Sequence, residues 1–546
     1  MPHYFIPTTA LCSALALAER GTKRIGFLSR HNSTTTRSHW VFWYCLIAWV
    51  AVAIAQPTTL VAYDSAAAVT YTIEWSSNCR SAYQSIMSLQ LDKGKQLLQT
   101  EQGQNPNNLL PLLLENYIDL LVLFISEDAA LFQQLEPNKG KRLAKLAQLP
   151  AHSPYRRYAQ AEINLQWAVA RLKFEQYFNA FRETQKAYQL LADNQTHFPN
   201  FYPNLKSLGL IHALVGTVPT KYKWGVSLLG LSGNLNQGMA ELDDFTRQSD
   251  ADPAHLFREE GALLQIFLTA YLKNQPQRAW QLAARLPTEK NLLHSFVAAD
   301  MALRAGNNDQ AIDILLHRPT TAAGFYDFPY LDFLMGACKL NRADIDANVY
   351  FQRFLNRFKG KNYVKDAFQR LAWYSLLQNE PEGYQLYMEL CRSKGATLID
   401  ADKQALKNAQ SGKIPHYQLL KARLLFDGGY CSQAIAAMDI ININTLKNTE
   451  QRLEYQYRYG RIAECMHQTE RAITHYKKVV STDINTATTY YFAPKSCLQL
   501  GGIYEQQADY ATARRYYEQC LSYKSHDYKN SFEQQAKAGL GRLAKK

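Results

Sequence analysis

From Cys79 onward, apolar side chains return every three or four positions, at Tyr83, Ile86, Met87, Leu91, Leu97 and Leu98. That period places them on one face of a helix. Asn105-Pro106-Asn107-Asn108 ends the stretch and caps a second predicted helix, 109–127. Further turns are expected at Pro137-Asn138 and between Pro150 and Pro154. No segment alternates with period two long enough to make a sheet, so the chain reads as all-α.

Within these helices small residues recur on a longer period. The stretch 158–191 carries Ala168, Ala180 and Ala187 in one frame, and the frame returns at Ala299, Ala302 and Ala311, closed by Pro319. Weaker copies hold Ala270, Ala279 and Leu286, and Ala347 with Phe351. Ala434, Ala472 and Ala513 keep one frame position near the C-terminus. Two units are clearest: Gly460-x-x-Ala463 followed by Ala472 and Tyr476, and Leu500-Gly501-x-x-Tyr504 followed by Ala513 and Tyr517. The small residues let two antiparallel helices approach closely, and the large one fills the seam. This resembles the tetratricopeptide pattern, with spacings that scatter around its period of roughly 34 residues. The expected fold is all-α, tetratricopeptide-like hairpins stacked in a right-handed superhelix, or solenoid. Its expected divisions are 1–55 (extension and signal), 56–76 (linker), 77–245 and 246–413 (helical repeats), and 414–546 (C-terminal repeats and capping helix).

Residues 41–55 form an uncharged apolar run after Arg37, ending Ala53-Ile54-Ala55 before Gln56 and Pro57. Its length suits a signal h-region, and Ala53, Ala55 and Gln56 are the expected cleavage signature. An uncleaved anchor and an organelle transit peptide are the alternatives. The expected location is the secretory pathway: periplasmic, secreted or membrane-anchored.

The net charge is +13, but five basic residues against Glu19 lie in the first forty, which leaves +9 for the rest. So mild an excess indicates a solvated surface and no nucleic-acid partner. The 34 tyrosines fit inter-helix packing. Beyond the leader (Cys12, Cys45), seven scattered cysteines, Cys79, Cys338, Cys391, Cys431, Cys465, Cys497 and Cys520, show no metal-type or disulfide-framework spacing. They are expected in the core.

Residues 205–238 differ in composition. Six of the 26 glycines fall there, with Lys221, Lys223 and Trp224 between two apolar stretches. A buried hairpin with close helix contact is expected; an apolar-ligand lining or membrane-touching element is the alternative. Val218-Pro219, Lys223-Trp224-Gly225, Leu228-Leu229-Gly230, Gly233 and the Gly238–Leu242 stretch together resemble the inclusion-body-clearance family, which includes the animal tetratricopeptide repeat protein 39 group. Phe358-Lys359-Gly360-Lys361-Asn362-Tyr363 before Trp373, and His526-Asp527-Tyr528-Lys529-Asn530-Ser531-Phe532, agree with it. The resemblance covers about 79–543 and implies a non-enzymatic helical-repeat protein tied to lipid handling and clearance of protein inclusions.

HExxH, GxSxG, Walker-type and GxGxxG motifs are all missing from the sequence, so no enzyme and no cofactor are expected. The polar cluster from Asp250 to Glu260 reads as a helix start, with Asp252 as cap, Pro253 first and Glu259 early. His467 and His475 are too far apart on one helical path to share a metal, and no metal is expected. A clamp for chaperone tails would need Lys and Asn where Leu419 and Arg423 stand. Charge reversal at Arg423 and Arg461 is accordingly expected to change partner affinity by less than about tenfold. The expected function is a non-catalytic, monomeric scaffold holding a protein or peptide, with Tyr455, Tyr457, Arg458 and Arg461 as groove candidates. A lipid-handling protein that touches a membrane surface through 205–238 is the alternative.

Overall fold

The computed structural model describes residues 70–218, 230–251, 257–483, 490–524 and 526–544. The signature Ala53, Ala55 and Gln56, the stretch holding Lys221, Lys223 and Trp224, and Asp252 with Pro253 lie outside the described residues. Among the described residues the chain is an all-α array of antiparallel hairpins, with one isolated bridge between Thr72 and Asn108.

The N-terminal helices are α1 (Ser77–Met87), α2 (Leu91–Gln104), α3 (Leu110–Ser126), α4 (Ala129–Leu146), α5 (Pro154–Lys173), α6 (Tyr177–His197), α7 (Pro203–Gly216) and α8 (Leu235–Ala251). The middle ones are α9 (Arg258–Tyr271), α10 (Pro276–Ala283), α11 (Leu292–Arg304), α12 (Asn308–Leu316), α13 (Tyr330–Asn341), α14 (Ala347–Arg357), α15 (Val364–Leu377), α16 (Pro381–Ser393) and α17 (Asp400–Ser411). The last are α18 (Tyr417–Asp427), α19 (Cys431–Asp439), α20 (Thr449–Cys465), α21 (Thr469–Asp483), α22 (Phe492–Gln506), α23 (Tyr510–Ser522) and α24 (Lys529–Leu543).

Local chemistry sets these boundaries. Ser76, Asp128, Asn291, Asn448 and Asp509 each accept a backbone N–H as N-caps, and Pro154, Pro203, Pro276 and Pro381 open helices where their missing N–H costs nothing. The turns inside the hairpins carry a left-handed residue: Leu89, Glu127, Glu175, Asn274, Gly306, Ala343, Asn379, Gly429, His467 and Ala508. The expected turn at Pro137 is not there, because Pro137 lies inside α4. Its ring frees the carbonyl of Gln133, and both residues are exposed, so water takes the lost hydrogen bond.

The repeat-frame residues are buried between paired helices. Ala168, Ala180, Ala187, Ala299, Ala311, Ala434, Ala472 and Ala513 are all within 3% of full burial. A Cβ on Gly460 would come 2.7 Å from the Tyr476 ring, and one on Gly501 2.6 Å from the Tyr517 ring. Each ring is anchored alike: Tyr476 donates to Glu464 and Tyr517 to Glu505, both at 2.7 Å. Tyr504 stacks on Tyr516 at 5.8 Å. In 205–238, a Cβ on Gly209 would stand 2.8 Å from the Gly238 carbonyl oxygen, so glycine on both sides lets α7 and α8 touch.

One apolar core runs from Cys79 to Leu424, and separate clusters serve the C-terminal repeats. The long core reflects a closure that no repeat period encodes. The α1–α2 turn accepts backbone hydrogen bonds from Leu292 and Tyr326, and Glu127 in the α3–α4 turn accepts from the backbone and side chain of Asn362. Tyr83 of α1 and Tyr117 of α3 donate to Glu260 of α9 at 2.7 and 3.1 Å. Helices α1 and α3 are thus tied to α5 and α9 by their tyrosine hydroxyls.

Candidate functional site

In the C-terminal hairpins the stacking brings cationic and aromatic side chains together. Their first helices, α18, α20 and α22, stack side by side and present one residue set to a recess. Arg423 and Phe426 come from α18, Tyr457, Arg458 and Arg461 from α20, and Lys495 from α22, with Tyr491 just before it. Helix α24 adds Phe532, and Tyr528 at its start holds a left-handed φ of 65°.

Aromatic rings form the walls. Tyr457 and Tyr491 meet at 6.0 Å between centroids, and Tyr528 crosses Tyr491 edge-on at 5.7 Å. The Tyr528 hydroxyl donates to Gln404 at 3.2 Å and Lys407 pairs with Asp527, so the last turn is tied to α17 across the recess.

The four cations differ in partnering. Arg458 is buried and bound to Glu454 at 2.9 Å; Arg423 lies 5.0 Å over Trp373 and 3.8 Å from Asp427. Arg461 donates to the Tyr457 hydroxyl at 3.1 Å and lies 5.1 Å over Phe426. Lys495 donates to Gln535 at 3.3 Å and sits 5.4 Å from the Phe532 ring. Among the described residues neither Arg461 nor Lys495 has a carboxylate within 4 Å. Glu464, which acts on both electrostatically, is already bound by Tyr476 and Gln499. Burial, and then the neighbouring Arg461, push the Lys495 ammonium down to about 8. An anion entering here would relieve that strain on the charged form.

Of the four groove candidates, three meet and one does not. Tyr457, Arg458 and Arg461 share the recess, whereas Tyr455 leans on Tyr459 on the other side of α20, near Asp439 and Arg471. Residues two apart on a helix face different ways, so Tyr455 and Tyr457 could not share one surface. Leu419 is buried and offers no donor, so the chaperone-tail clamp has no counterpart. Of the two arginines expected to tolerate charge reversal, Arg423 has Asp427 at 3.8 Å, whereas Arg461 has no carboxylate within 4 Å among the described residues. Lys495, Tyr491 and Tyr528 were missed by sequence; the signal was Lys495 lying near the start of α22, the first helix of the repeat after the one that holds Arg461.

His467 is an exposed turn residue, and His475 stacks on Tyr459 at 4.3 Å, its imidazole pushed down to about 4 by burial and by Lys478 and Arg471. No group of three metal-type ligands gathers among the described residues. In the polar cluster, Glu259 contacts His294 at 2.7 Å in the first turn of α9, and Glu260 belongs to a buried charge cluster. That cluster joins Lys206 to Glu162 and Glu260 at 2.9 and 2.7 Å, with Ser207, Tyr83 and Tyr117 donating to the carboxylates. It is a lock between helices.

The cysteines correct the sequence reading. Cys431 and Cys465 form a disulfide that ties the start of α19 to the end of α20. The repeat stacking brings together residues 34 apart, about one repeat, which scattered spacing concealed. Cys79, Cys338, Cys391, Cys497 and Cys520 are free and buried. Burial pushes the thiols of Cys79 and Cys520 up to about 11 and 12, so they are inert packing groups.

A tetratricopeptide repeat model matches residues 494–527, the hairpin α22–α23 with the turn that follows it. The matched hairpin is a tetratricopeptide repeat, set in an all-α helical-repeat array. The tetratricopeptide seams described above, with glycine opposite tyrosine, extend the same geometry to α20–α21. No curated protein matches the sequence. No described helix is long and apolar enough to cross a membrane.

Proposed function

We propose that the protein is a non-catalytic scaffold that holds a protein or peptide segment in the recess lined by α18, α20, α22 and α24. The observation that carries this is the pair Arg461 and Lys495, half-buried, walled by aromatic rings and, among the described residues, with no carboxylate within 4 Å. A desolvated cation beside aromatic anchors is the composition of an interface centre. The resemblance to the inclusion-body-clearance family supports a non-enzymatic role. An extracytoplasmic location is supported by the apolar run ending at Ala55 and by the Cys431–Cys465 bridge, since disulfides persist in oxidising compartments.

The test is a photo-crosslinking residue placed at Tyr491, with the exposed Ile345 as control, followed by mass spectrometry. One reproducible species from position 491 that is absent at 345 and lost with Arg461→Glu supports the reading. Identical products from both positions refute it.

A further inference from the structure

We infer that the recess between Arg461 and Lys495 receives the side-chain carboxylates of an acidic peptide segment, a Glu- or Asp-rich stretch internal to a partner chain. This rests on the docking reading above and names the chemistry of the occupant. Arg461 and Lys495 project from consecutive first helices, so an extended segment crossing the array meets them in succession. Their direct contacts are neutral, a tyrosine hydroxyl and a phenyl face for Arg461 and a side-chain amide and a phenyl face for Lys495, while Glu464, the carboxylate that acts on both from farther off, is held by Tyr476 and Gln499. Charge-assisted hydrogen bonds to carboxylate are stronger than these, and the aromatic walls hold water away from them.

The shape of the site selects among anions. An inner face roofed by Tyr528 and the Lys407–Asp527 tie cannot be laid against a flat bilayer. A peptide can thread it, and the flanking rings of Tyr491 and Phe532 give the stem of a Glu side chain apolar surface to lie on. A free chain end meets no Lys–Asn clamp here, because Leu419 is buried and Arg423 lies over Trp373 with Asp427 3.8 Å away. Amide-capped and free peptides should therefore bind alike.

The experiment uses the purified protein and a fluorescent decaglutamate with both ends capped, against capped decaglutamine. Decaglutamate should bind at least about tenfold tighter, weaken with salt, and lose about tenfold or more with Arg461→Gln or Lys495→Gln. Lys478→Gln, on the outer helix α21, removes the same charge and should change nothing. Competitive acetylation near pH 8 gives a readout that needs no variant: bound decaglutamate should slow modification of Lys495. Equal affinity for both peptides, or unchanged Lys495 labelling at saturation, overturns the inference. So does displacement by inorganic phosphate at equal charge concentration, or binding to phosphatidylserine vesicles that Arg461→Gln abolishes. If decaglutamate fails while position 491 still crosslinks a specific partner, the docking reading stands and its acidic preference falls.

Discussion

Replacing Lys206 by Met should unlock the N-terminal half of the molecule. Lys206 is 2% exposed, and among the described residues its ammonium is the only cation between Glu162 and Glu260, at 2.9 and 2.7 Å. Burial pulls its pKa down, but Glu162 and then Glu260 hold it above the ordinary lysine value, so it stays charged. Met keeps the aliphatic stem and deletes the charge, leaving two carboxylates close together with only Tyr83, Tyr117 and Ser207 as donors. Removing one partner from a buried pair costs about 3–5 kcal/mol. Because α1, α3, α5, α7 and α9 all meet at this cluster, the loss should appear in the opening free energies of those helices by hydrogen exchange. One carboxylate will then take up a proton in the folded state. A carboxyl raised in the fold contributes stability at low pH that is lost as pH rises, so the deficit should grow between about pH 5 and pH 8. A second change, Glu260→Gln, should recover part of it. A loss under about 1 kcal/mol, or one independent of pH, would refute the reasoning.

Gly460→Ala and Gly501→Ala press a methyl into the Tyr476 and Tyr517 rings and should cost about 1–3 kcal/mol, whereas Gly502→Ala, with nothing within 4 Å, should be neutral or stabilise by up to about 1 kcal/mol in thermal melts. Asp402 accepts backbone N–H groups of Tyr363 and Asp366 at the start of α15, yet burial pushes its carboxyl up to about 8. Its folded value is raised, so protection of α15 and α17 should fall as pH climbs from about 4 through 8, and Asp402→Asn should flatten that dependence; greater protection at pH 9 than at pH 5 would contradict it. Cys431→Ser with Cys465→Ser opens a loop spanning 34 residues and should cost about 3–4 kcal/mol in the loop-entropy picture, read by denaturant unfolding of the oxidised and double-variant proteins.

What the sequence disclosed was whatever depends on near neighbours. Small residues opposite Tyr476 and Tyr517 follow the repeat period, and so does the anchoring of each ring by a glutamate twelve residues earlier, at Glu464 and Glu505. What it hid depends on how far the superhelix turns. Asn362 meeting Glu127 and Glu260 meeting Tyr83 are products of that turning, and no local pattern carries them, whereas Cys431 and Cys465 stand about one repeat apart. The groove fared in between. Arg458 and Arg461 sit on one face by helical spacing, but only the packing of α22 against α20, and of α24 on α22, shows Lys495 beside Arg461 and Tyr528 across the opening.

The division between a closed core and a local array has a consequence that one substitution exposes. Ala513 is fully buried in the α22–α23 seam, close to the Tyr517 that fills it. Ala513→Asp places a carboxylate there with no donor, and its desolvation should cost several kcal/mol. In a repeat array that cost is borne by the units in contact with the seam. The cluster containing Ala513 begins at Leu453, while the core that starts at Cys79 ends at Leu424, so the N-terminal half shares no core with the damaged seam. Circular dichroism should therefore show partial loss of helix, and hydrogen exchange should place it in α20 to α24 with α1 to α15 unchanged. Lys206→Met should give the opposite map. If both variants melt the whole chain together, the two halves fold as one cooperative unit and the tie between α17 and the Asp527–Tyr528 turn is stronger than its one ion pair and one hydrogen bond indicate.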